Sequence, residues 1–401
     1  MKNLWTVLPP LMSDNFGFIE VLKGSDGCGI IDDSGGYRLG GGRGSHGGGR
    51  ERREGREGKR REEGPRREKP EGKKKRGMET RTVVSGADDQ DVAAGTREKL
   101  MQAFREARSL YNPSFALFSA GPCGAMIGTD LGEIAEAAGL ESGLPTAAVE
   151  LTGQKAYDVG VSKTTEVLAK LLAKDAEPAA GAVNILGANG LDWAAGDIGG
   201  VRSWITGLGY QVLAQPGGTV TAAELETLGR ARLNLAVSVS GLAAARYLQS
   251  RFETPYLAAA PFGADRCKEL QLALEGRGLP QLPEAAQAEA LIIGEQLTAN
   301  AVRAALEQTG VVQAADVATF YLLDKACARA GDLRLRGEDA AREVLNRPQY
   351  RYVIADPLLR PLLQRDCRWI DLPHKALNLY GEAAQVSLLG QNLDNWLDGQ
   401  L

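Results

Sequence analysis

The chain has 401 residues, too many for one hydrophobic core, which predicts two or three domains. Its formal net charge is -4, yet Arg38 to Gly77 alone carries 16 Lys and Arg against 7 Glu, so the remainder stands at -13 and is a poor surface for nucleic acid. Five cysteines, at 28, 123, 267, 327 and 367, include no CxxC pair and argue against a disulfide framework or a self-contained zinc site; two histidines leave no room for chemistry built on several imidazoles.

No run of about 18 apolar residues occurs, and the start, MKNLWTVLPPLMSDNFG, lacks a signal peptide's charged-then-apolar layout, so a soluble cytoplasmic protein with no membrane partner is expected. Phe18 to Leu22 reads as a short helix and Gly29-Ile30-Ile31 as a strand, closed by the turn Asp32-Asp33-Ser34-Gly35-Gly36. Gly40 to Gly77 contains no aliphatic or aromatic residue, cannot offset its ordering entropy by burial, and is expected to be disordered. As a basic tract it reads as a solvated insertion, as an arm for RNA or another anionic surface, or as the Arg/Gly/Glu run that a misread frame in GC-rich DNA produces.

Structure is expected to resume with a strand at Thr82-Val83-Val84 and a helix from Thr96 to Leu110, where Leu100, Phe104 and Ala107 recur at helical spacing before Asn112-Pro113. Phe115 to Phe118 is a strand entering a loop of small residues, Ser119 to Gly124; a helix follows from about Thr129, then a Gly-Leu-Pro turn and the strand Thr146 to Val149. Val161, Thr165, Leu168 and Leu172 share one face of the next helix.

A second unit alternates the strand Val183 to Leu186, the loop Gly187-Ala188-Asn189-Gly190, the helix Ile198 to Leu208, the strand Tyr210 to Ala214, the helix Ala222 to Arg230, the strand Leu233 to Val239, the helix Leu242 to Phe252 and the strand Tyr256 to Ala259. Gly187 and Gly190 form GxxG, which is not the dinucleotide fingerprint GxGxxG. After a linker at Leu279 to Pro283, Ala290 to Glu295 is a strand entering a helix from Thr298 to Glu307; Tyr350 to Pro357 is a strand ending in a turn, and Trp369 to His374 follows. The fold class expected is α/β, three Rossmann-like units with parallel sheets flanked by helices. The boundaries are 1–37 for the start of the first unit, 38–77 for the basic insertion, 78–180 for the rest of that unit, 181–265 for the second and 266–401 for the third.

The stretch MIGTDLGEIAEAAGLESGLPTAAVELTGQKAYDVGVSKTTEVLAK resembles the nitrogenase component 1 family, whose layout is I-I-G-x-D, an amphipathic helix, G-[IL]-P-V, T-N-G and Y-D-x-G-x-S-K-A. LPPLMSDNFG, DDSGG, VNILGANGLDW, NLAVSVSGLAAARYLQSRFETPY, LIIGEQLTANAVRAAL, VIADPLLRPLL and DLPHKALN are similar to further family segments and fall in the family's order. The resemblance implies three α/β domains with a metal cluster or substrate between them, pairing with a homologous nitrogenase-like subunit as a hetero- or homodimer, and electrons from a separate ATP-dependent iron–sulfur reductase.

Family members that carry a bridging iron–sulfur cluster supply up to three cysteines per subunit. On this resemblance the first falls near Phe18 or Ile19, where there is no cysteine; the second falls at Gly36 and Tyr37, with Cys28 upstream; the third falls at about Pro122, one residue from Cys123. Cys28 and Cys123 are therefore the candidate metal ligands. The metallocofactor of true nitrogenases needs a cysteine in the second domain's strand–helix loop, which here reads Val237-Ser238-Val239-Ser240-Gly241, and a histidine in the third domain, where His374 sits in a differently built motif. Dinitrogen reduction is not expected. Glu295 and His374 are the candidate catalytic residues, and Asp130, Ser238 and Asp356 the candidate substrate contacts, with Asp130 also placed as a helix cap. Two functions follow: an oxidoreductase component that receives electrons from the reductase, or a cluster-less scaffold that binds a small molecule or cofactor.

Overall fold

The computed structural model describes residues 7–34, 80–277, 287–377 and 384–401. The basic insertion at 38–77, the ligand position at Gly36 and Tyr37, and the linker at Leu279 to Pro283 lie outside the described residues.

In the first unit, β1 (Cys28–Asp32), β2 (Thr82–Val84), β3 (Ala116–Ala120) and β4 (Thr146–Val149) form a parallel sheet of order β2-β1-β3-β4. Ile30 lies opposite Val83 on one side and Phe118 on the other. Every residue of β1 and β3 is buried, as befits strands covered by helices on both faces. The Arg97–Tyr111 helix buries Leu100, Phe104 and Ala107 against that sheet, with the Phe104 and Phe118 rings 5.7 Å apart, and it stops at Asn112 in the left-handed region. The small-residue stretch differs from the loop expected: Pro122, fixed in φ and lacking an N–H, starts a short helix, Pro122–Ile127, which Gly128 ends.

In the second unit, β5 (Ala182–Leu186), β6 (Gln211–Val212), β7 (Leu233–Ala236) and β8 (Tyr256–Ala258) repeat the arrangement as β6-β5-β7-β8, all parallel. A buried pair fixes its central register, the Asn184 amide donating to Asn234 Oδ1 at 2.8 Å. The third unit has five parallel strands, β9 (Ala290–Ile293), β10 (Ala315–Thr319), β11 (Leu333–Arg334), β12 (Tyr352–Ala355) and β13 (Arg368–Asp371), in the order β11-β10-β9-β12-β13. Neither β10 nor β11 was expected. Asp316 interrupts the apolar run of β10, and its carboxylate is accommodated by the Tyr350 hydroxyl at 2.7 Å, a partner 34 residues away in sequence. The Ala264–Leu272 and Glu338–Leu345 helices were likewise unread.

One apolar cluster runs through all three units, while a second, containing Cys28, Ile30, Leu100, Phe104 and Phe118, fills the far face of the first sheet. At the centre the Tyr157–Leu172 helix packs against the Asp14–Lys23 helix of its own unit and the Leu242–Phe252 helix of the second. The first crossing is backbone on backbone: a Cβ on Gly17 would overlap the Tyr157 carbonyl oxygen, and one on Gly160 would overlap that of Asp14. This close approach fixes where the Tyr157–Leu172 helix begins.

Candidate functional site

In a doubly wound sheet the chain leaves neighbouring central strands in opposite directions, opening a crevice at their carboxyl ends. The relevant pairs here are β1 and β3, β5 and β7, and β9 and β12. Residues just beyond β5, β7, β9, β10, β12 and β13 meet the start of the Tyr157–Leu172 helix at one buried junction.

His374 stands at its centre. Nδ1 lies 3.2 Å from the Tyr321 hydroxyl, and Nε2 lies 3.3 Å from Asp192 Oδ1 and 3.4 Å from the Tyr157 hydroxyl. The Tyr157 hydroxyl itself donates to Asp192 Oδ1. A neutral imidazole satisfies this set by donating from Nε2 to the carboxylate and accepting at Nδ1 from Tyr321. The rings add contacts: Tyr321 stacks on His374 at 4.9 Å, and Tyr157 meets Tyr321 edge-on at 5.1 Å. Burial, and then the nearby Asp192 charge, hold both phenols well above their ordinary range, so they act as donors, not phenolates.

Backbone geometry explains why these groups meet. Asn189 caps its own loop, accepting from the Leu191 and Asp192 amides at 3.0 and 3.1 Å, while its side-chain amide donates to Asp192 Oδ2 at 2.6 Å. Asp356, beyond β12, accepts from the His374 amide at 2.7 Å and from the Leu358 amide at 2.9 Å, tying the ends of β12 and β13 together. Burial raises the Asp356 carboxyl against those two hydrogen bonds.

Glu295 caps the Gln296–Gln308 helix, accepting from the Thr298 amide at 2.8 Å, and reaches into the second unit to accept from the Val239 amide at 2.9 Å. It is 3% exposed, and burial, followed by the Asp192 charge, pushes its carboxyl up to about 7. Asp158, second residue of the central helix, accepts from the Leu322 amide across the seam with the third unit; its Oδ1 has no partner among the described residues, and burial pushes it up to about 6. Ser238 donates to the Gly187 carbonyl at 2.8 Å, so the Ser240 hydroxyl, 2.6 Å away, must donate to Ser238 Oγ; together they pin the loop after β7 to the loop after β5.

The structure thus brings Glu295, His374, Ser238 and Asp356 to one junction. It does not bring Asp130 there. That carboxylate is exposed on the first unit, where it accepts from the Glu133 amide at 3.0 Å as a helix cap.

Nor does it bring Cys28 and Cys123 together. Cys28 opens β1 at the amino end of the sheet, opposite Ala116, whereas Cys123 lies beyond β3 at the carboxyl end. The four residue steps from Ala116 to Ala120 alone separate them by about 13 Å. Cys28 is fully buried in the apolar cluster, and this pushes its thiol up to about 12 even with Arg81 nearby, whereas an iron ligand must be a thiolate. Among the described residues no group of three or more His, Cys, Asp or Glu could hold a metal ion. These residues do not fit an iron–sulfur cluster bound by this pair.

Four members of the junction were missed from sequence: Tyr157, Asp158, Asp192 and Tyr321. Tyr157-Asp158 and Asp192 stood within the quoted stretches AYDVG and GLDW, each just after a loop that follows a strand; Tyr321 depended on β10, which the sequence did not disclose.

Three parallel sheets, with charged and hydrogen-bonding groups where strand ends of the second and third meet the central helix of the first, define a three-unit α/β protein. Residues 71–320 match the family described as nitrogenase component 1 type oxidoreductase, and the chain belongs to that family. It is 29% identical over 230 residues to the nitrogenase iron-molybdenum cofactor biosynthesis protein NifE of Klebsiella pneumoniae, covering 53% of this chain and 49% of that protein. It is 28% identical over 184 residues to NifE of Nostoc sp. (strain PCC 7120), covering 44% of this chain and 37% of that one. The chain therefore spans half or less of the length of these curated relatives. A solved structure of nitrogenase Cp1 at pH 6.5 superposes with a TM-score of 0.70 at 12% identity over all of this chain and 93% of that one; nitrogenase Cp1 at pH 5 gives 0.64 at 14% identity over 100% and 89%. At such identities the likeness concerns the fold. No helix among the described residues is long and apolar enough to cross a membrane.

Proposed function

We propose that this chain is a nitrogenase-like component that binds a small molecule or maturing cofactor at the three-unit junction and holds no cluster between Cys28 and Cys123. The observation behind this reading is the junction itself, where strand ends of the second and third sheets and the start of the central helix converge on Tyr321, His374, Asp192 and Tyr157 with no thiol among them. Asp356 positions His374 through its backbone amide, and Glu295 ties the Val239 loop of the second unit to the third, so the set presents its hydrogen-bonding groups in fixed places to an occupant. The likeness to cofactor biosynthesis proteins supports a holding role; a homologous nitrogenase-like subunit as partner and the cytoplasm as the compartment are part of the same proposal.

The second reading, an oxidoreductase component that receives electrons from an ATP-dependent iron–sulfur reductase, draws on the same hydrogen-bonded chain, since protons must accompany electrons into a substrate. Any cluster in that case comes from the partner subunit. Anaerobic purification of the chain, alone and with a homologous subunit, followed by iron and sulfide analysis, tests the first reading. Substoichiometric iron in the chain alone is expected, with small-molecule retention lost in His374→Ala. Stoichiometric iron and sulfide that disappear in a Cys28→Ala, Cys123→Ala double variant would sink it, and turnover dependent on reductase and ATP selects the second reading.

A further inference from the structure

A cavity of about 560 Å³ opens beside the junction, between the end of the Asp14–Lys23 helix, the loops that follow β5 and β6, and the chain just beyond His374. Three cations line it, one from each unit: Lys23, Arg202 and Lys375. Two carboxylates also line it, and both are already engaged. Glu20 accepts from the Gly190 amide at 3.1 Å and lies 3.7 Å from Lys23 Nζ. Glu224 closes a capping box, accepting from the Thr221 amide at 2.8 Å and its hydroxyl at 3.1 Å, and its other oxygen meets Arg202 Nη2 at 3.3 Å.

What remains is a surplus of donors. Arg202 spends Nη2 on Glu224 and the Val212 carbonyl, leaving Nε and Nη1 with no partner among the described residues, and half-buried Lys375 has no ion-pair or hydrogen-bond partner among them. The helix Ala195–Gly207 also starts at this cavity, with no side-chain cap at Ala194. A cation partly withdrawn from water without a counter-ion is unfavourable, and a ligand anion relieves it. A guanidinium and an ammonium lining one cavity suit a doubly charged group.

We propose that this cavity binds a small dianion, carrying either two carboxylates or a phosphate, through Lys375, Arg202 and Lys23. The site stands apart from the hydrogen-bonded chain at the junction, although Lys375 adjoins His374 and Gly190 lies two residues before Asp192, so an occupant here bears on two segments that hold that chain. Because its walls come from all three units, binding draws them together and raises the midpoint of thermal unfolding.

The test is isothermal titration and thermal unfolding of the full chain with succinate and, separately, with inorganic phosphate, at constant ionic strength. Saturable binding of at least one is expected, weakened about tenfold or more in Lys375→Met and in Lys23→Met. It should be unchanged in Lys268→Met, whose ammonium is paired with Asp265 at 2.8 Å on the surface of another helix. Succinate alone identifies a dicarboxylate occupant, and phosphate alone a phosphorylated one. Absence of saturable binding by both, affinity unchanged in Lys375→Met, or equal weakening in Lys268→Met overturns the proposal.

Discussion

Two buried carboxylates, Asp32 at the end of β1 and Asp158 at the start of the central helix, are treated oppositely by the fold. Asp32 Oδ2 accepts from the Thr96 hydroxyl at 2.6 Å and the Thr129 hydroxyl at 2.8 Å, and its Oδ1 accepts from the Ser85 hydroxyl at 3.2 Å. Asp158 has one backbone donor on Oδ2 and none on Oδ1 among the described residues. Hydroxyls gathered from three segments compensate the first carboxylate, so it serves as a fastener for the carboxyl end of the first sheet. The second is under-compensated, and burial together with the nearby Asp192 charge pushes its carboxyl up to about 6.

The contrast can be attacked in order of expected effect. Gly160→Ala should destabilise most, by about 3 kcal/mol, because its Cβ overlaps the Asp14 carbonyl and must push the central helix off the first one. Denaturant unfolding reads the loss, and a near-neutral result would mean that the helix crossing does not set the junction. Asp32→Ala should cost about 2–3 kcal/mol by removing the shared acceptor of the Thr96, Thr129 and Ser85 hydroxyls, which denaturant unfolding reads.

Glu295→Gln should cost about 1–2 kcal/mol, since the amide nitrogen cannot accept from one of the two backbone N–H groups, and it should change the pH dependence as well. The sign follows from the raised carboxyls. Glu295, at about 7, and Asp158, at about 6, keep their protons when folded to higher pH than when unfolded. Their stabilisation is full below about pH 4 and is lost as pH rises toward 7, at about 1.4 kcal/mol for each tenfold change in proton affinity. Unfolding at several pH values should show that decline in the parent chain and a flatter one in Glu295→Gln; parallel curves would erase the distinction between the two regions. Asp130→Ala should have the smallest effect, about 1 kcal/mol from loss of one exposed cap, with no change in ligand retention.

Much of the fold was legible because its elements carry strong local periodicity. The fully apolar β9 and β12, the Arg97–Tyr111 helix with its Asn-Pro stop, and the strand–helix alternation of the second unit were all readable from neighbours in sequence. What escaped was stabilised from a distance. Asp316 in β10 is tolerated because Tyr350 reaches it, and Tyr321 enters the site only because β10 carries it there. The same limit explains Cys28: adjacency to a family motif placed it near a ligand position, but the parallel register of β1 and β3 puts it at the wrong end of the sheet.

The sequence by itself determined the class of fold and the family, and it offered Glu295, Asp356 and His374 as candidate polar contacts where the domains meet, because residues just after parallel strands lie at the crevice. Only the tertiary structure decided which groups those residues face. Tyr157 and Asp192 come from different units and meet His374 from a third, at sequence separations of 217 and 182, and no local pattern encodes a contact that three separately wound sheets create when they pack.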